Sequence, residues 1–255
     1  MCAAFVAVAS YLGYTIVEAP GNQLFGRTLV NGRSDAREVA LTFDDGPNPP
    51  YTNEILDVLR SEHVHATFFV VGRAAAAYPA TVRRIVADGN AIGNHTWDHA
   101  HLVMETPDQV GSELRRTDDE IYHLTGIHTR LMRPPFGARD FAVIDKARSL
   151  GYTVVMWSVP LPNDWEQPGD ATIAQRVLDN VRDGGIIVLH DGNRGLICGL
   201  GEAKRDACDR KQDVAATRKI VERLKAENYR FVTIPQLLAD EKRAPATHTV
   251  ARSTR

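Results

Sequence analysis

The chain has 255 residues, 44% hydrophobic and 24% charged, enough apolar material for one well-packed domain. Its formal net charge of -2, with no basic block, argues against nucleic acid as a partner. None of its three cysteines forms a Cys-x-x-Cys pair, which argues against a cysteine zinc site.

The chain opens on an uncharged stretch, Cys2 to Val17, rich in Ala and Val. It is short for a membrane span and lacks a basic start. It reads as the remnant of a signal or membrane anchor, or as a helix packed on the domain. A polar, irregular lead-in runs from Ala19 to Arg37. The first strand ends at Asp44, and helical spacing follows over Tyr51 to Ser61. Ala66 to Val71 is a buried strand, Tyr78 to Asp88 a helix closed by Gly89, and Ala91 to Gly93 a short strand. A helix starting at Thr106-Pro107-Asp108 runs to about Leu124. Thr129 to Met132 leads into Arg133. A helix from Asp140 to Gly151, a strand from Thr153 to Trp157 and a helix from Ala171 to Val181 come next. Ile186 to Leu189 is a strand ending at His190. A polar Gly-rich loop carries Cys198 and Cys208, which either close it as a disulfide or stay as two thiols. The chain finishes with a helix, Val214 to Ala226, a strand, Arg230 to Ile234, and a short helix, Pro235 to Ala239.

About seven strand-helix units alternate without a linker, which predicts an α/β fold with parallel strands and helices outside: a distorted (β/α) barrel. An open doubly wound sheet is the alternative, but no Gly-rich phosphate loop follows the first strand. We divide the chain into a lead-in, 1–36, a catalytic domain, 37–240, and a disordered tail, 241–255. The unusual polar residues Asp44, Asp45, His95, Arg133 and His190 all fall where strands end, the edge on which barrel active sites form.

Val39 to Phe43 is an apolar run that stops at two adjacent carboxylates. Charged side chains are seldom buried unpaired. Successive side chains of an extended strand point to opposite faces, so Asp44 and Asp45 are expected to do different jobs, such as moving a proton and holding a cation. The plain alternative is a helix-capping Asp beside a solvated one. His95 and His99 form a His-x-x-x-His pair. On a helical turn the two rings would share a face about 6 Å apart, within reach of one ion. One Asp would complete a set of three protein ligands with an open position, the pattern of a catalytic zinc site and equally of a non-haem iron triad.

These segments resemble the polysaccharide deacetylases, carbohydrate esterase family four, also called the NodB homology domain. Thr42 to Pro47 is similar to the first family motif, His95 to His99 to the second, and Arg133-Pro134-Pro135-Phe136 to the third. Asp164-Trp165 resembles the end of the fourth and Val188-Leu189-His190 the fifth. The resemblance implies that Asp45, His95 and His99 bind a divalent metal, usually Zn2+, with Co2+ or Ni2+ able to serve. It implies Asp44 as general base, His190 as general acid, Arg133 as partner of Asp44, and Asp164 as the residue that raises the pKa of His190. The Phe136 backbone N–H would face the oxyanion, and Trp165 and Val188 would line the acetyl pocket. Two departures stand out: Leu161 replaces an earlier Asp of the fourth motif, and Val188 replaces a Leu.

The expected reaction is removal of N-acetyl groups from an N-acetylglucosamine polymer such as peptidoglycan or chitin. An O-acetyl esterase and a non-catalytic glycan-binding module are the alternatives. The expected partner is the acetylated polysaccharide alone. A monomer in the cell envelope or secreted is expected, with membrane association through the N-terminus. His63, His65, His101, His123, His128 and His248 carry no motif and are read as non-ligands. Tyr152, Met156 and Trp157 are read as core.

Overall fold

The computed structural model describes residues 16–197 and 205–243, with backbone alone at 205 and 206. The questions of an N-terminal signal or anchor and of Cys198 as a disulfide partner lie mostly or wholly outside these residues; of the tail expected to be disordered, 241–243 instead finish the last helix and the rest lies outside. Cys208 is disulfide-bonded. Among the described residues no helix is long and apolar enough to cross a membrane.

The strands are β1 (Glu38–Asp44), β2 (Thr67–Val70), β3 (Ala91–Asn94), β4 (Leu131–Met132), β5 (Thr153–Val154), β6 (Gly185–His190) and β7 (Arg230–Phe231). The helices between and after them are α1 (Tyr51–Ser61), α2 (Gly72–Ala77), α3 (Pro79–Ala87), α4 (Pro107–Thr125), α5 (Phe141–Ser149), α6 (Asp170–Leu178), α7 (Arg205–Cys208), α8 (Lys211–Ala226) and α9 (Ile234–Arg243). All seven strands run in one parallel sheet, ordered β5-β4-β3-β2-β1-β6, with β7 against the start of β1. Helix boundaries follow local chemistry. Thr106 and Gln109 form a reciprocal capping box at the start of α4, and Gly126 ends it with φ 74.

All seven residues of β1 are buried, because the strand is paired on both edges and covered on both faces. Its residues still alternate. Val39, Leu41 and Phe43 join a cluster under the outer helices with Ile55, Leu59, Ile187 and Leu189. Ala40 belongs to a second cluster, inside the curve of the sheet, with Phe69, Met132, Ile186 and Val188. Continuing that alternation places Asp44 and His190 on the inner side, at the rim where the strands end.

The strand expected over Thr153 to Trp157 is only two residues long, since the next residues turn to meet the lead-in. Leu29 N–H donates to Val154 O (2.9 Å), and Met156 N–H donates to Leu29 O (2.7 Å). Three residues on, Gly32 N–H donates to Gly184 O (2.7 Å), just before β6. Residues 29–32 therefore bridge β5 to β6 and close the sheet into a distorted barrel. The last strand is likewise shorter than the expected Arg230 to Ile234, because α9 already begins at Ile234.

Candidate active site

Asp44 and Asp45 both line one cavity of about 320 Å3 at the rim. An extended backbone would have sent Asp45 away from it. Instead Asp45 takes a left-handed φ of 76, which swings its carboxylate back to the same side. The two acids do not point apart, which corrects the expectation from strand alternation; their partners nevertheless differ. Gly46 leaves the turn room: a Cβ there would lie 2.0 Å from Asp191 Oδ2.

His95 and His99 leave β3 in a loop, not on the helical turn inferred from their spacing. Thr96 and His99 have φ of 67 and 57. Glu113 of α4 fixes this loop by accepting the N–H groups of Trp97 (2.8 Å) and Asp98 (3.0 Å). The two imidazoles end 5.1 Å apart, centre to centre. Their Nε2 atoms lie 3.4 Å and 3.0 Å from Asp45 Oδ1. His95 Nδ1 sits 2.8 Å from the Arg133 carbonyl, so it carries the proton and Nε2 presents a lone pair. Asp45 Oδ1 is buried with no hydrogen-bond donor, while Oδ2 accepts from Arg194 N–H (2.7 Å). A lone pair and an unpartnered anionic oxygen facing each other need a cation between them. The three ligand atoms lie within 4.8 Å of one another, one per residue, and the donor set suits a divalent ion.

Arg133 is fully buried beneath this centre. Its Nη1 donates to Asp44 Oδ1 (2.7 Å) and to Thr42 Oγ1 (2.8 Å), and its Nη2 donates to Met156 O (3.1 Å). The guanidinium also lies 4.2 Å from the centre of the Phe69 ring. Burial pulls the pKa of Arg133 down against the charge of Asp44, but an Arg stays protonated in proteins.

His190 ends β6 with its Nδ1 2.9 Å and 3.1 Å from the two oxygens of Asp164. Its backbone N–H also donates to Asp164 Oδ2 (2.7 Å). Asp164 thus claims Nδ1 and leaves the other ring nitrogen for the cavity. Burial opposes the His190 charge, but Asp164, then Asp45 and Asp44, push its pKa up to about 10. Leu161 lines the cavity and does not displace Asp164.

Phe136 is 38% exposed with φ 61, and packs edge-on to His99 at 4.7 Å. Trp165, 40% exposed, stands edge-on to His190 at 5.5 Å. Val188 and Trp157 are buried and line the floor. The fold gathers all ten predicted site residues at one place. A larger groove of about 980 Å3 along the Leu29–β5 seam holds none of them.

Sequence reasoning missed several neighbours. Arg194 contributes a backbone N–H, which no residue type announces. His101, read as a bystander, is no ligand but stacks on Phe136 at 5.2 Å, with Glu18 3.4 Å from its Nε2. Glu18 was visible only as the end of an uncharged run. Arg210 and Asp213 resemble any charged helix start.

A parallel barrel with an Asp-His-His cluster at the strand ends defines the class: an α/β-barrel enzyme with a site suited to a divalent metal. Residues 31–155 match the family model described as polysaccharide deacetylase. The chain is 34% identical over 228 residues to a peptidoglycan-N-acetylglucosamine deacetylase of Bacillus cereus, covering 89% of this chain and 93% of that protein. It is 36% identical over 209 residues to the peptidoglycan-N-acetylmuramic acid deacetylase PdaC of Bacillus subtilis, covering 82% of this chain but only 40% of that longer protein. The crystal structure of the Bc1960 peptidoglycan N-acetylglucosamine deacetylase superposes with a TM-score of 0.73 at 33% identity, over 82% of this chain and 92% of that one. The chain belongs to the polysaccharide deacetylase family.

Proposed function

We propose that the chain removes N-acetyl groups from an N-acetylglucosamine-containing cell-wall or chitin-like polymer, working in the envelope or outside the cell as a monomer. Residues 37–240 form the catalytic unit, with residues 29–32 of the lead-in closing its barrel. The relatives that act on peptidoglycan support the substrate class. The observation that carries the reading is the placement of Asp44 and His190 opposite each other beside the Asp45-His95-His99 cluster.

Asp45, His95 and His99 would hold the metal, for which Zn2+ is the first choice and Co2+ or Ni2+ serve. The ion supplies Lewis-acid polarisation of the water and the acetyl carbonyl. Asp44 takes the proton of the attacking water, oriented by Arg133. Phe136 N–H donates to the oxygen that gains negative charge. His190, protonated and oriented by Asp164, gives its proton to the leaving amine. Val188 and Trp165 border the acetyl group.

The test is mass spectrometry of chito-oligosaccharide and peptidoglycan fragments after incubation, with bound metal quantified in the same sample. Loss of acetyl groups by wild type, and none by His99→Ala, is expected. Full turnover by metal-free protein, or hydrolysis of O-acetyl esters alone, overturns the reading.

A further inference from the structure

Asp213, in the first turn of α8, has no exposed surface, and neither of its oxygens receives a hydrogen bond. Its nearest cation, Arg210, is 4.0 Å away and spends its Nε on the Gly192 carbonyl (2.7 Å). Yet the Asp213 and Asp164 side chains lie within hydrogen-bonding reach of each other. Gln212 Nε2 donates to the Asp164 carbonyl (3.2 Å), tying the start of α8 to this turn. Two facing carboxylates hold together only if one keeps its proton. Asp164 already accepts from His190 through both oxygens, so the proton belongs on Asp213.

We infer that Asp213 is a neutral carboxylic acid that donates a hydrogen bond to Asp164 and so sets how strongly Asp164 holds His190. Asp213 is a positioning residue: it touches no substrate and acts through Asp164. The charged groups around it are Asp164 in the turn before α6, His190 on β6 and Arg210 beside it. Burial first, and then the Asp164 charge, push its carboxyl far above the usual range, against the weaker pull of Arg210. A donor on Asp164 drains negative charge from it. His190 is thereby held firmly enough to stay oriented but remains able to release its proton. This rests on His190 as general acid, but the protonation of Asp213 is measured independently of turnover.

The experiment compares metal-loaded wild type, Asp213→Asn and Asp213→Leu by difference infrared spectroscopy at pH 8, and by the pH dependence of kcat. A protonated-carboxyl band present in wild type and absent from both variants is expected. Asn still donates to Asp164, so the alkaline limb of its profile should stay where it is in wild type. Leu donates nothing, and its limb should move to higher pH. No such band in wild type, or an Asn limb about one pH unit lower, as loss of a negative charge would give, overturns the inference. If the band appears but His190 variants keep full turnover, the general-acid reading fails and the assignment of Asp213 stands.

Discussion

Asp44 and His190 are register partners across the β1–β6 ladder. Register partners of parallel strands point to the same face, about 4.8 Å apart at the backbone. The proposed base and acid therefore flank a gap suited to one planar acetamido group. The gap is fixed by two buried strands and does not depend on loop motion. Asp44→Asn and His190→Ala should each lower kcat about 10²- to 10⁴-fold. Metal content should stay at the wild-type level, because neither residue belongs to the ligand cluster. Steady-state kinetics with elemental analysis of each variant checks this.

The cation cluster predicts a stability effect separate from activity. Stripping metal with a chelator leaves the unpartnered oxygen of Asp45 facing the His95 lone pair. Adding Zn2+ back should raise Tm with concentration, by about 2.7 kcal/mol of stability at 100 times Kd. His95→Ala should abolish that response. A Tm indifferent to metal in wild type contradicts the site.

The His190–Asp164 pair fixes the sign of a pH effect. The folded pKa of His190 is raised, to about 10, above an unfolded value of about 6.5. The stability it contributes is fully present below about pH 6.5 and is lost as pH rises towards 10. Asp164 is lowered in the folded state: burial opposes its charge, but His190 outweighs burial. Its contribution is present above its unfolded value and is lost as pH falls below that. Asp164→Asn should thus destabilise metal-free protein most near pH 6 and progressively less towards pH 10. The alkaline limb of kcat should move to lower pH in the same variant. Thermal melts and rate profiles across that range test both.

Arg133 holds Asp44, Thr42 and the carbonyls of Val155 and Met156 from a position with no exposed surface. Arg133→Met leaves the Asp44 carboxylate buried without its partner and should cost about 3–5 kcal/mol. Arg133→Lys keeps the charge but cannot make the fork, and should lose activity more than stability. Trp165, by contrast, is 40% exposed, so Trp165→Ala should raise KM with little change in Tm. Denaturant titration and KM measurements separate these outcomes.

The strand-helix rhythm and the residues at strand ends were legible because burial on both faces writes continuous apolar runs, as in β1 and β6. What was not legible came from backbone conformation. The left-handed turn at Asp45 reverses the side chosen by alternation. The loop at Thr96 and His99 reproduces helical proximity without a helix. The short strands β4, β5 and β7 have two residues each, too few to carry a period. Asp213 was hidden for another reason: an acid in the first turn of a helix is ordinary, and only burial makes it notable.

The closure of the barrel was equally invisible, since residues 29–32 read as polar lead-in. Gly184, just before β6, shows how tightly that seam is packed. Its φ is 74, and a Cβ there would lie 2.4 Å from the Arg33 carbonyl oxygen. Neither the backbone conformation nor the space admits a side chain, and the obstacle is backbone that cannot swing aside. Gly184→Ala should therefore open the Gly32–Gly184 hydrogen bond and cost about 1–3 kcal/mol. Gly169 also has a positive φ, 93, but nothing lies within 4 Å of a Cβ there. Gly169→Ala should suffer only the conformational part of the penalty. Amide exchange localised to Gly32, Leu29 and Met156 in the first variant and absent in the second would establish that the lead-in completes the barrel. Equal, uniform exchange in both would mean that the seam carries no load of its own.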